Sequence, residues 1–140
     1  MKRFLMIIAS CLFIVSCWGS TLESYGMGRL MYYSIEANVS PATVDKLENR
    51  FNVLLDETKD FATVTSAQTL ALFNDMGVIL AAEHANPYGL MGDLTELLGL
   101  AGAEYAPDGS MLSVRPMPRA VFAAFSRGWK NSKAELAGRA

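Results

Sequence analysis

Arg29-Leu30-Met31-Tyr32-Tyr33-Ser34-Ile35-Glu36-Ala37-Asn38-Val39 is the segment on which the architecture turns. Four of its eleven residues are aromatic or β-branched, and apolar and polar positions partly alternate. That pattern predicts a strand. As a strand it would open an α+β domain, an α/β sandwich whose small sheet is packed by helices. The competing possibility is a small, mainly helical protein with no sheet platform.

Downstream, Ser40-Pro41 has the chemistry of a helix start, with serine as N-cap and proline at the first helical position. Val44, Leu47, Phe51, Leu54 and Leu55 then recur at helical spacing, which predicts a helix over 42–57. Phe61 to Thr65 is short, apolar and β-branched and predicts a strand. Ser66 can cap a second helix with Leu70, Phe73, Ile79 and Leu80 as its core positions, weakened at Gly77. Asn86 to Gly89 reads as a loop, and Leu94, Leu97, Leu98 and Ala101 predict a short third helix over 93–101. Glu104 to Val114 suits a last strand, although Pro107-Asp108-Gly109 is a good turn and allows a hairpin instead. Pro116 and Pro118 end it. The expected order is therefore β-α-β-α-α-β over residues 29–114, followed by a basic amphipathic C-terminal helix over 115–140.

Several of these pieces resemble the curli-secretion-channel (CsgG-like) lipoprotein group, which includes activators of penicillin-binding proteins and the TolB N-terminal domain. The matching residues are Leu54-Leu55, Phe61 to Val64, the run Leu97 to Tyr105, and Gly109-Ser110. The resemblance implies a periplasmic sheet-and-helix domain that binds protein partners or assembles into rings, without catalysis. Pro107 departs from the group's uninterrupted strand, and the chain carries less sheet than full members.

Upstream, Met1-Lys2-Arg3 is a short positive segment, and Phe4 to Val15 is a twelve-residue run in which only Ser10 is clearly polar. A run of that length suits the hydrophobic region of an export signal and is shorter than the roughly 18–20 residues a spanning helix needs. Ile14-Val15-Ser16-Cys17 resembles the lipobox of bacterial lipoproteins. The resemblance implies a signal over 1–16, removed on export, and diacylglycerol and fatty acids such as palmitate on Cys17. Ile8-Ala9-Ser10-Cys11 fits the same pattern but would leave too short an apolar run. Trp18 stands where an inner-membrane retention aspartate can occur, so the resemblance points to the outer membrane, facing the periplasm. Residues 17–28 read as a lipidated tether.

After Ser16 no thiol pair remains, and His84 is the only histidine, so disulfides and histidine-rich metal sites are not expected. No cofactor is implied. Charge is uneven: residues 17–114 carry four Lys/Arg against thirteen Asp/Glu, whereas 115–140 carry six against one. The basic tail can lie on its own acidic body or serve a partner. In it, Phe122, Phe125 and Trp129 define an aromatic side, and Arg119, Arg127, Lys130 and Lys133 a basic side. Such a helix either packs its aromatics in the core or lies on a bilayer or partner groove. An exported acidic protein is a poor nucleic-acid binder.

Catalytic alternatives are thin. His84 would have to be the base of a hydrolase, yet no G-x-S-x-G surrounds a serine. Glu83, Asp93 and Glu96 could flank a glycan as a cell-wall hydrolase requires, but solvated helix charges explain them equally well. Gly89-Leu90-Met91-Gly92 lacks the lysine and hydroxyl of a phosphate loop. The expectation is a non-catalytic envelope lipoprotein, bound to the membrane through Cys17, that engages another envelope protein or a second copy. A mainly helical, membrane-associated lipoprotein is the alternative.

Overall fold

The computed structural model describes residues 18–139. The segment expected to be an export signal, and Cys17, lie outside the described residues. In chain order the elements are α1 (Thr21–Glu36), α2 (Pro41–Glu57), β1 (Thr63–Val64), α3 (Ser66–Ala81), α4 (Pro87–Leu90), α5 (Gly92–Leu100), β2 (Glu104–Tyr105), β3 (Met111–Ser113), β4 (Met117–Pro118) and α6 (Arg119–Arg139). The architecture is mostly helical, with two small antiparallel two-stranded sheets, β1–β4 and β2–β3.

The segment 29–39 is not a strand. Its first eight residues are the second half of α1, which also consumes most of the expected tether. Ser20 is the N-cap, its hydroxyl accepting from the Glu23 amide at 3.0 Å. The buried positions of α1 are Ser24, Gly28, Met31, Tyr32 and Ile35, one continuous stripe at helical period. Two members of that stripe are not apolar, so a hydrophobic pattern begun at Arg29 sees only its second half. Leu30, which the strand reading would treat like its neighbours, is 58% exposed.

Ser24 and Gly28 are buried because α6 comes unusually close there. The Ser24 hydroxyl donates to the Val121 carbonyl at 2.7 Å. A Cβ on Gly28 would fall on the Phe125 carbonyl oxygen, and one on Gly128 would fall on that of Tyr25. The glycine Cα–H groups are therefore aimed at backbone carbonyls of the facing helix, a weak but recurrent helix-crossing contact. Tyr32 meets Trp129 edge to face, centroids 5.2 Å apart. The contact pairs 24 with 121, 28 with 125 and 32 with 129 advance together, so α1 and α6 run parallel.

On the other side of α6 lies α2, antiparallel to it: Arg119 at the start of α6 reaches Leu55 near the end of α2, and Lys133 reaches Asp45 near its beginning. Its stripe of Val44, Leu47, Phe51 and Leu54 is buried, as its spacing predicts. Phe51 is the centre of the core, ringed edge to face by Phe122, Phe125 and Trp129 at 6.0, 5.7 and 5.1 Å.

α3 is capped by Thr65, not Ser66, in a full capping box with Gln68. Its core residues are Leu72, Phe73, Met76 and Leu80; Leu70 and Ile79 are only half-buried. Gly77 does not break it, because the Tyr88 ring occupies the space a side chain would need. Asn86 to Gly89, expected as loop, includes the first turn of α4, with Asn86 as its cap.

The Pro107 turn resolves as the hairpin alternative. Glu104 pairs with Ser113 and Tyr105 with Met111, and Asp108 closes the bend by accepting from the Ser110 amide and hydroxyl at 2.9 and 2.6 Å. Gly109 takes φ +93°, a conformation costly for other residues. Asn74 of α3 ties the hairpin down, exchanging both amide contacts with the Met111 backbone at 3.0 and 2.9 Å. The expected order β-α-β-α-α-β thus fails at its first strand, which is helix α1; it also gains the short helix α4 and the strand β4, and its last strand is split into β2 and β3, while the coarse class of helices with a minority of strand stands.

Candidate functional site

The residues singled out in the C-terminal segment all lie on α6, and the structure separates them into two groups. Phe122, Phe125 and Trp129 are 2%, 2% and 0% exposed. They form the core around Phe51 and offer nothing to a bilayer or partner, because a bundle of this size needs its large aromatics inside.

The basic residues mostly face α2. Arg119 donates to the Leu55 carbonyl at 3.0 Å and the Thr58 hydroxyl at 3.3 Å. A cation there also meets the negative end of the α2 dipole. Lys130 donates to Asn52 at 2.6 Å. Lys133 reaches Glu48 at 3.1 Å and Asp45 at 3.3 Å, and its pKa is raised, first by the Glu48 hydrogen bond and then by that from Asp45. Arg127 alone of the four points outward. Tail meets body charge to charge at Lys133, which sits between the Asp45 and Glu48 carboxylates of α2. Each such pair is half-exposed and contributes about 0–1 kcal/mol, so their role is to fix the register of α6 on α2.

Among the described residues, two concave regions lie at opposite ends of the bundle. One lies between the ends of α1 and α6 and is lined by Tyr32, Glu36, Lys133, Leu136, Ala137 and Arg139, with a volume near 520 Å3. The other, near 350 Å3, is lined by Trp18, Gly19, Ser20, Thr21, Pro118, Ala120 and Val121. It lies where α1 and α6 begin. Trp18 is 3% exposed and α1 begins at Thr21, so most of the segment expected as a tether over 17–28 is packed helix. The signal for this was present in Ser20, a capping residue, and in Trp18, which is costly to leave in water.

The residues considered for catalysis have structural work. The Nδ1 atom of His84 accepts from the Asn86 amide at 3.0 Å, closing the bend after α3. The Glu83 carboxylate accepts from the Ser40 hydroxyl and amide at 3.0 and 3.2 Å, which joins the end of α3 to the start of α2. Hydrogen bonds from Thr43 and Ser40 hold its pKa below the ordinary 4.5. A glycosidase acid needs the opposite, a carboxyl raised so that it keeps its proton. Glu96 is exposed on α5. Among the described residues no group of three or more His, Cys, Asp or Glu converges on a metal-sized site. No described helix is long and apolar enough to cross a membrane.

The pieces that carry the CsgG-like resemblance fall on α2, β1, the α5–β2 connection and the β2–β3 turn, but the first strand of the expected sheet is helix α1. No family model matches the chain, and it matches no curated protein and no solved structure.

Proposed function

We propose that this protein is an envelope lipoprotein, carried by acyl chains on Cys17 and facing the periplasm from the outer membrane, that works by binding another envelope protein or a second copy rather than by catalysis. The observation that carries the reading is the junction at Trp18. The lipobox-like run ends at Cys17, and the next residue is already packed into the bundle. A body fused to its anchor is held at the membrane in one orientation, whereas a tethered one would swing freely.

The bundle axis supports a role at a distance from the bilayer. α6 has 21 residues and spans about 31 Å. The cleft of Tyr32, Glu36 and Lys133 lies at the end of α6 remote from Cys17 and faces the periplasm in this reading. Its lining is mainly apolar, with the Glu36 carboxylate and the Lys133 and Arg139 cations beside Tyr32, Leu136 and Ala137, which suits a protein surface of mixed chemistry. The mainly helical alternative supplies the architecture, while its membrane-binding tail is replaced by the acyl anchor, because the aromatics of α6 are in the core. The CsgG-like resemblance is not needed for the proposal.

Detergent-phase partition of cell extracts tests it. The native chain is expected in the detergent phase and Cys17→Ala in the aqueous phase; identical partition of the two would remove the anchor from the account. Crosslinking in intact cells from a position beside Lys133 is then expected to trap a protein of the envelope or a dimer.

A further inference from the structure

The end of the bundle that carries Trp18 has an unusual surface. Among the described residues, seven large hydrophobics are exposed, and three of them lie around the Trp18 cleft. Leu22, 78% exposed, is in the first turn of α1, directly after the cleft residue Thr21. Leu100, 46% exposed, ends α5 beside Gly19: a Cβ on that glycine would lie 3.5 Å from the leucine methyl. Phe61, 65% exposed, precedes Ala62, whose carbonyl accepts from the Arg119 amide at 2.9 Å, next to the cleft residue Pro118. Three elements distant in sequence thus bring apolar side chains to one rim. The other four, Leu30, Val53, Val78 and Leu112, are scattered over the helices and the hairpin.

Two further observations concern the cleft itself. Its lining is mostly apolar. The Trp18 indole lines it, and its Nε1 is buried without a hydrogen-bond partner in the protein. The indole N–H is itself closed off from the surface, so what this end presents outward is the apolar rim of Leu22, Phe61 and Leu100.

We infer that this end of the molecule lies in the interfacial layer of the bilayer that holds Cys17, with Leu22, Phe61 and Leu100 inserted among the acyl chains and the Trp18 cleft against the lipid esters. The inference rests on the lipoprotein reading, since it is the acyl chains on Cys17 that bring the bilayer there. Consecutive Cα atoms are about 3.8 Å apart, so whatever fixes Cys17 at the membrane places Trp18 within a few ångströms of it. The contact is apolar rather than electrostatic: Lys59 and Asp60, both exposed beside Phe61, cancel. It differs from a basic helix lying on an anionic surface, which α6 does not provide.

Nitroxide labels on the full, lipidated chain test the contact. The protein is reconstituted into phosphatidylethanolamine–phosphatidylglycerol vesicles with a single label introduced at Leu22→Cys, Phe61→Cys or Leu100→Cys, and at Leu30→Cys or Val78→Cys as controls. Labels at the first three positions are expected to collide at least fivefold more with oxygen, relative to a water-soluble nickel chelate, than labels at the controls. Five equally water-exposed labels on protein that floats with the vesicles would overturn the inference and leave the lipid anchor standing. Protein that does not float with the vesicles would remove both.

Discussion

Gly28 and Gly128 each lie against the backbone of the other's helix, and neither contact has a flexible side chain that could yield. A glycine inside a helix costs about 1 kcal/mol relative to alanine, so on an isolated helix either replacement would stabilise. Here the added methyl meets a carbonyl oxygen, and the helices must separate along their whole parallel seam. Gly28→Ala and Gly128→Ala are each expected to destabilise by about 1–3 kcal/mol, as overpacking does, measured by denaturant unfolding. An unchanged or raised midpoint would mean that the seam is loose. Trp129 gives a complementary case. It is fully buried, touches Phe51 and Tyr32, and its Nε1 has no partner. Trp129→Ala is expected to cost about 3–5 kcal/mol, and Trp129→Phe clearly less, because the phenylalanine keeps most of the apolar contact and removes a buried N–H that bonds to nothing. Equal losses in the two variants would indicate that the indole N–H matters after all.

The elements show where the sequence was readable and where it was not. α2 was legible in full because everything that makes it is local: Ser40 and Pro41 start it, and five apolar residues recur at helical spacing. α5 was legible for the same reason; the hairpin was only one of two readings, because the turn chemistry of Asp108 and Gly109 permits it without excluding a single strand. α1 was misread because two of the five residues of its buried face are Ser24 and Gly28, buried only because α6 packs on them from about a hundred positions away. No local pattern encodes that. The aromatics of α6 formed a legible face, but whether it meets core or membrane depends on the partner helix, and Phe51 decides it.

Glu83 belongs to the same level, since it clamps the end of α3 to the cap of α2. Its folded pKa lies below 4.5, so its contribution is present above that pH and fades as the pH falls through the folded value. Glu83→Gln is therefore expected to lower the melting temperature at neutral pH, and the difference from the native protein should shrink as the pH falls below 4.5 and through the lowered folded value. A difference that is constant with pH would show that charge plays no part in the clamp.

Taken whole, the molecule is a bundle whose two ends differ. α1, α3 and α6 rise from the end at Trp18 and α2 returns to it, so the first described residue, the start of α6 and the Phe61 turn come together at one end. The far end gathers Tyr32, Glu36 and Lys133 in an open cleft. A polarity of this kind is what a body fused directly to an anchor would require, with one end for the bilayer and the other for the periplasm. The sequence suggested an anchor at Cys17 but placed the start of the domain at 29, whereas the described body includes Trp18 and the helix from Thr21; the polarity was not legible, because it arises from the parallel seam between two helices at opposite ends of the chain.

The account depends above all on the chemistry at position 17, and intact-mass analysis of the N-terminal peptide from membrane-purified protein examines it. The expected product begins at Cys17, lacks residues 1–16 and carries the added mass of a diacylglycerol, with or without a further acyl group. A chain that retains Met1, or one cut elsewhere with an unmodified Cys17, would contradict it.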